Sequence, residues 1–224
     1  MAAHDPRIVA AIVVAAGAGS RLGADVPKAF VEVAGTPLLS HVTQRFLDHR
    51  AVRDVVVVSP PDFVEDAAAL VPGAHVVAGG VTRQESVERG IAALAVDVEL
   101  VLVHDAARAF VPAEVIERVI RALADGAGAV IPTLPLIDTV KRVEGSRVVE
   151  TPDRGSLRVV QTPQGFRRSV LVAAHTQDVS DAPDDASLVE ALGLPVLVVD
   201  GDEDAFKITT PADLIRAEAL LARS

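Results

Sequence analysis

The feature that most constrains this chain is a series of short, unbroken apolar runs rich in Val, Ile and Ala, separated by amphipathic stretches of helical period. The runs Ile8–Ala15, Asp54–Ser59, His75–Ala78, Leu100–Asp105, Ala129–Thr133, Leu157–Gln161 and Val196–Val199 predict strands. Between them Pro37–His49, Asp62–Leu70, Thr82–Ala95, Pro112–Ala124, Arg168–Thr176, Ala186–Leu192 and Pro211–Ala222 predict helices. A strand with one wet face alternates polar and apolar residues, whereas a continuously apolar strand must be covered on both sides. The pattern therefore predicts an α/β fold: a Rossmann-like, doubly wound, mostly parallel sheet with helices on both faces. Two helix starts carry their own chemistry. Thr210 before Pro211 suits an N-cap, and Thr82 with Glu85 three residues on matches a capping box.

One segment breaks the alternation. Asp138–Glu150 reads DTVKRVEGSRVVE, two alternating runs about a Gly-Ser turn, which predicts a β-hairpin with one polar face. Such an arm either packs on its own sheet or reaches to a partner subunit. No repeat, low-complexity tract or linker divides the 224 residues, so the expectation is one domain over 1–224 with a β-arm inserted at about 134–156.

Composition narrows the function. Without Cys, Trp or Tyr there is no thiol nucleophile, thiolate zinc site or tyrosine base. The net charge of −10 disfavours nucleic acid, whose phosphates call for a basic surface, but leaves room for a small anion in a local cationic pocket. Only three of the 21 basic residues are lysines, Lys28, Lys141 and Lys207, which singles those positions out. The most apolar stretch, beginning at Ile8, falls well short of the ~20 residues a membrane helix needs. Arg7 before it resembles a signal-peptide start, but Asp5 interrupts the basic region, so a cytoplasmic protein without membrane contact is expected.

The densest chemical cluster follows the first strand: Ala15-Ala-Gly-Ala-Gly-Ser-Arg-Leu-Gly-Ala-Asp-Val-Pro-Lys28. Glycines let backbone N–H groups approach an anion closely, although Gly-x-Gly alone also makes an ordinary strand-to-helix turn. The spacing fails the dinucleotide fingerprint, since three residues separate Gly19 from Gly23, and it lacks the Gly-Lys of a P-loop. What remains is glycines followed by Arg21 and Lys28, a planar fork and a point charge suited to a polyphosphate. The second cluster is Val103-His-Asp-Ala-Ala-Arg108. Asp105 falls at the carboxyl end of a predicted strand, where open α/β sheets bind ligands, and suits Mg²⁺; an Asp capping the next turn is the plainer alternative. His104 is expected to pack or hydrogen-bond, since no Gly-x-Ser-x-Gly elbow supplies a nucleophile for it to activate. Gly79–Ser86, Asp138–Lys141, Asp153-Arg154, Thr162–Gln164, Asp184–Ser187 and Ala205–Thr209 add polar signals near predicted loop ends.

With these motifs in order along nearly the whole chain, the sequence resembles the 2-C-methyl-D-erythritol 4-phosphate cytidylyltransferase family of the non-mevalonate isoprenoid pathway. The first loop is shared with sugar-nucleotide pyrophosphorylases; the later motifs specify the branch. The resemblance implies condensation of CTP with a phosphorylated sugar alcohol, use of Mg²⁺ or another divalent cation, and a homodimer with exchanged β-arms. It implies catalytic roles for Arg21, Lys28, Arg154 and Lys207, and nucleotide contacts at Ala15, Ala16, Gly17, Gly19, Gly80 and Ser86. Asp105, Arg108, Thr139 and Thr162 match substrate-binding positions, with Asp105 also near the metal and Arg154 and Thr139 delivered by the neighbouring subunit. Val81 and Pro183 depart from the family pattern, where an Asp and a Thr are common, so no contact is carried to them. Ribitol-5-phosphate cytidylyltransferase and a nucleotide-binding module without turnover stay open as alternatives.

Overall fold

A computed structural model describes residues 8–17, 26–177 and 182–223. In chain order its elements are β1 (Val9–Val14), a 3-10 turn at Lys28–Phe30, β2 (Glu32–Val33), β3 (Thr36–Pro37), α1 (Leu38–Leu47), β4 (Val52–Ser59), α2 (Val64–Leu70), β5 (His75–Ala78) and α3 (Arg83–Ala93). There follow β6 (Leu100–Asp105), α4 (Ala113–Ala124), β7 (Ala129–Pro135), β8 (Arg142–Glu144), β9 (Arg147–Glu150), β10 (Arg158–Val160), β11 (Gln164–Arg167), α5 (Arg168–His175), α6 (Asp185–Ala191), β12 (Leu197–Asp200) and α7 (Pro211–Leu221).

The central sheet runs β10-β7-β11-β6-β1-β4-β5, with β12 also on β7. Strands β1, β4, β5 and β6 are parallel, and Val14 sits in register with both Val58 and Asp105. The apolar runs are unbroken because each of their faces is buried. Val9, Ala11 and Val13 join Leu102 beneath α1 and α4 (Phe46, Ile116), while Ala10 and Ile12 join Val101 and Val103 beneath α3, α5 and α6 (Ile91, Leu171, Leu188). Truncating a core ring such as Phe46 would cost about 3–5 kcal/mol.

Two elements differ from the sequence expectation. Gln164–Arg167 is a strand, β11, running antiparallel between β6 and β7 at the centre of the sheet. Its four residues Gln-Gly-Phe-Arg carry no apolar run, and Gly165 is there for closeness: a Cβ would stand 2.3 Å from Val119 Cγ1 on α4. The β2–β3 hairpin was likewise unforeseen, and it moves the start of the first helix from Pro37 to Leu38. The expected β-arm is present as the two-stranded β8–β9 hairpin, all of whose residues are exposed.

Candidate active site

The chain passes from β1 to β4 on one side and later to β6 on the other, so the sheet reverses its winding between β1 and β6. Open α/β sheets bind ligands beyond the carboxyl ends of the strands at such a switch point. Here the ladder closes with Ala15 N–H donating to the Val58 carbonyl at 2.8 Å and Ala106 N–H to that of Val14 at 3.0 Å. Just beyond lies a cavity of about 380 Å³ lined by, among others, Ala15, Ala16, Gly17, Lys28, Gly80, Ser86, Asp105 and Lys207. A second cavity of about 420 Å³ takes in Arg108, Gln161, Thr162, Gln164, Pro183 and Asp184. Arg83, Asp105 and Lys207 line both and form their common wall.

Asp105 is the centre of that wall. Its Oδ2 accepts from Lys207 Nζ at 2.8 Å, and Arg83 Nε stands 3.6 Å from its Oδ1. Burial pushes the carboxyl up, but the charges of Lys207 and Arg83 outweigh it and hold the group down at about 2. An anionic carboxylate at neutral pH, mostly buried and facing a cavity, can receive a cation. Among the described residues no three His, Cys, Asp or Glu side chains gather into a metal cage.

The packing or hydrogen-bonding role expected of His104 is what the geometry shows, with the ring fully buried. Its Nε2 meets the Arg108 carbonyl at 3.1 Å, which only an N–H can do, so Nδ1 carries the lone pair. Thr162 Oγ1 lies 2.9 Å from that Nδ1 and accepts from Asp105 N–H at 3.2 Å, so the hydroxyl proton goes to the ring. Burial pushes His104 down to about 4 and keeps it neutral, and the ring edge packs on Phe46 with centroids 4.9 Å apart. Thr162 thus braces the end of β6, and its one proton is committed to His104 instead of facing a phosphate. Arg108 donates to the carbonyls of Ala205 at 2.9 Å and Val160 at 3.1 Å, while its buried Nε has no hydrogen-bond partner. Burial lowers its pKa despite the nearby Asp105.

One rim of the first cavity is built by the start of α3. Thr82 Oγ1 accepts from Glu85 N–H at 3.0 Å, as a cap should, but Glu85 does not complete the capping box. Its carboxylate reaches one residue further out and accepts from Val81 N–H at 2.7 Å. Ser86 Oγ accepts from Gly80 N–H at 3.1 Å and donates to the Thr82 carbonyl at 2.8 Å, and Arg89 holds the Gly79 carbonyl at 2.6 Å. No side chain fits at position 80, where a Cβ would lie 2.3 Å from Glu85 Cβ. Val81 itself is 95% exposed at the cavity mouth.

Of the expected site residues, Ala15, Ala16, Gly17, Lys28, Gly80, Ser86, Asp105 and Lys207 come together around one cavity, with Arg108 and Thr162 around the other. Arg21 and Gly19 lie outside the described residues. Thr139 and Arg154 are exposed on the arm side and line neither cavity; Arg154 donates to the Ile137 carbonyl. Arg83 was missed by sequence reasoning, as was the pairing of Lys207 with Asp105. Both sat in motifs already singled out, but the partners are 102 residues apart in the chain and no local spacing reveals them.

An α/β frame with glycine-bearing strand ends, cations and one ionised carboxylate at its switch point defines a nucleotide-handling enzyme of the nucleotidyltransferase type. The comparisons narrow this. The profile of the family described as IspD, 2-C-methyl-D-erythritol 4-phosphate cytidylyltransferase, matches residues 9–223, and the chain belongs to that family. It is 52% identical over 217 residues to the 2-C-methyl-D-erythritol 4-phosphate cytidylyltransferase of Frankia casuarinae, covering 96% of this chain and 82% of that one. It is 50% identical to the Streptomyces coelicolor protein of the same name, covering 99% and 88%. Among solved structures, 4-diphosphocytidyl-2C-methyl-D-erythritol synthase from Anaerococcus prevotii superposes with a TM-score of 0.85 at 30% identity over 100% of both chains. The Thermus thermophilus cytidylyltransferase gives a TM-score of 0.77 at 40% identity, covering 97% of this chain and 100% of the other.

Proposed function

We propose that this chain condenses CTP with 2-C-methyl-D-erythritol 4-phosphate, releasing pyrophosphate and 4-diphosphocytidyl-2-C-methyl-D-erythritol for isoprenoid precursor synthesis. The observation that carries the reading is the common wall: Asp105, Lys207 and Arg83 stand between two adjoining cavities, one bordered by the glycine-bearing nucleotide side and one by Arg108. The attacking group is a phosphate monoester oxygen, already anionic at neutral pH. It forms the new bond to the α-phosphorus as the bond to the pyrophosphate oxygen breaks, so no protein base is needed. A neutral, locked His104 is consistent with that chemistry.

The chain's task is then to hold two polyanions together and stabilise charge on a five-coordinate phosphorus. Lys28, with Arg21, meets the triphosphate and the transition state. Lys207 leaves Asp105 for the phosphates and, with Arg154, aims the attacking oxygen. Asp105 fits as the protein ligand of a divalent cation, Mg²⁺ foremost, whose remaining ligands are phosphates and water; the ion supplies charge neutralisation. The Ala15, Gly80 and Val81 N–H groups are already bonded within the protein, so base choice falls to backbone carbonyls beside Ala15 and Gly80. Such acceptors suit the 4-amino group of cytosine and not the 4-oxo group of uracil.

The domain spans 1–224, and the arm at about 134–156 is exchanged in a homodimer. Support comes from exposed apolar side chains there, Ile137, Val143 and Val148, and from Thr139 and Arg154 lining neither of their own chain's two cavities. A cytoplasmic location fits the absence, among the described residues, of a helix long and apolar enough to cross a membrane. The deciding experiment measures pyrophosphate release with CTP or UTP against 2-C-methyl-D-erythritol 4-phosphate or ribitol 5-phosphate. Turnover confined to CTP with methylerythritol phosphate is expected. Preference for ribitol phosphate, or no turnover with any pair, would overturn the reading.

A further inference from the structure

Behind the common wall lies a carboxylate that the chemistry so far does not use. Asp185, the first residue of α6, is fully buried where α6 packs on α5, beside Leu171, Ala174, Leu188 and Val189. Both of its oxygens are engaged. Oδ2 accepts from Arg83 Nη2 at 2.8 Å, and Oδ1 from His175 Nε2 at 3.0 Å. The His175 side chain is only 4% exposed; its Nδ1 has no hydrogen-bond partner and stands 3.6 Å from the Glu88 carboxylate. A buried ion pair is a poor way to stabilise a fold, because an apolar pair of like volume does as well without desolvating charge. What a buried carboxylate supplies is orientation: it fixes the plane of a guanidinium that would otherwise follow the nearest anion.

For Arg83 the other nearby anion is Asp105, 3.6 Å from Nε and so just outside hydrogen-bond distance. We infer that Asp185 is a positioning residue: by holding Arg83 from behind, it keeps the guanidinium from closing onto Asp105 and leaves that carboxylate available to the metal-bound nucleotide. His175 fixes the second oxygen of Asp185 and so the direction in which it pulls. Freed of Asp185, Arg83 swings to Asp105, the two charges cancel, and the site loses the carboxylate that faces the nucleotide. The inference rests on the proposed role of Asp105.

A double-substitution cycle tests it with Asp185→Asn, Arg83→Met and the pair. The readouts are kcat and KM for CTP, calorimetric binding of CTP with Mg²⁺ in the absence of the second substrate, and the melting temperature. Removing a group that orients a ligand from behind costs about tenfold or more. Asp185→Asn is expected to weaken calorimetric binding and raise KM by about that factor. Because Asp185 acts through Arg83, the double variant should be no worse than Arg83→Met alone. A crystal structure of Asp185→Asn should show Arg83 within hydrogen-bond distance of Asp105. Losses that multiply in the double variant, or Asp185→Asn binding CTP and Mg²⁺ as the wild type does, would overturn the inference. If Asp185→Asn is too unstable to assay, the double variant decides, since it removes the whole pair: behaviour like Arg83→Met supports the inference and a further loss sinks it. Absence of wild-type turnover would instead strike the proposed reaction, and the binding arm would still judge Asp185.

Discussion

The cavity wall and the β8–β9 arm use the same residue types and hold them in opposite ways. In the wall and just behind it, Asp105, Arg83 and Asp185 are tied at distances of 2.8 to 3.6 Å with side-chain exposures of 16%, 31% and 1%. In the arm, Arg142 and Glu150 pair at 2.9 Å with side-chain exposures of 68% and 51%. An exposed pair is worth about 0–1 kcal/mol and is screened by salt, whereas desolvated charges act on each other and on a ligand at low dielectric. An isolated two-stranded hairpin is at best marginally stable in water. The wall is therefore complete on one chain, and the arm, with Val143 and Val148 exposed, is not. This contrast predicts that substitutions in the wall act on chemistry and those in the arm on assembly and on the second substrate.

Lys28→Ala should give the largest effect, a loss of about 10²-fold or more in kcat, as for one electrostatic stabiliser removed. Steady-state kinetics with wild-type kcat would place Lys28 outside the transition state. Next comes acid stability. His104 is lowered from 6.5 to about 4, so the stability its neutral form contributes is fully present above 6.5 and is lost as pH falls toward 4. Between pH 7.5 and pH 5 the wild type should lose about 2 kcal/mol more than His104→Gln in urea unfolding without metal. Equal losses would mean that the buried ring titrates normally. Arg154→Ala should raise KM for the phosphosugar about tenfold, the worth of one charge-assisted hydrogen bond, with CTP little changed. An effect confined to CTP would put Arg154 on the wrong substrate. Smallest is Ser86→Ala, which frees the Gly80 N–H and should raise KM for CTP only a few-fold, the net worth of a neutral hydrogen bond. CTP kinetics unchanged within error would remove Ser86 from the nucleotide side.

How much of this was legible follows from range. The parallel strands and both helical layers were readable because burial on two faces writes an apolar run into the sequence itself. Ala15 to Gly17 and Asp105 were readable for a related reason: a strand end is found from the strand, whereas Lys28 stood out as one of only three lysines. β11 was not, because Gln164–Arg167 is short and its defining residue, Gly165, is there to let α4 approach. The pairing of Asp105 with Lys207 and of Arg83 with Asp185 was invisible, since each joins residues 102 apart that only the fold brings together. Glu85 shows the finer limit: its spacing matched a capping box, and the side chain serves the neighbouring loop residue instead.

The central claim is that the site is completed by a second copy's arm, and mixing two impaired variants, assayed with the phosphosugar well below its KM, tests it most directly. Lys28→Ala lacks a cation of the first cavity and Arg154→Ala an arm cation. If Arg154 acts across the dimer, each heterodimer regains one intact site, and an equimolar exchanged mixture should recover about a quarter of wild-type activity. Activity no higher than the mean of the two variants alone, in a mixture shown to have exchanged subunits, would contradict it.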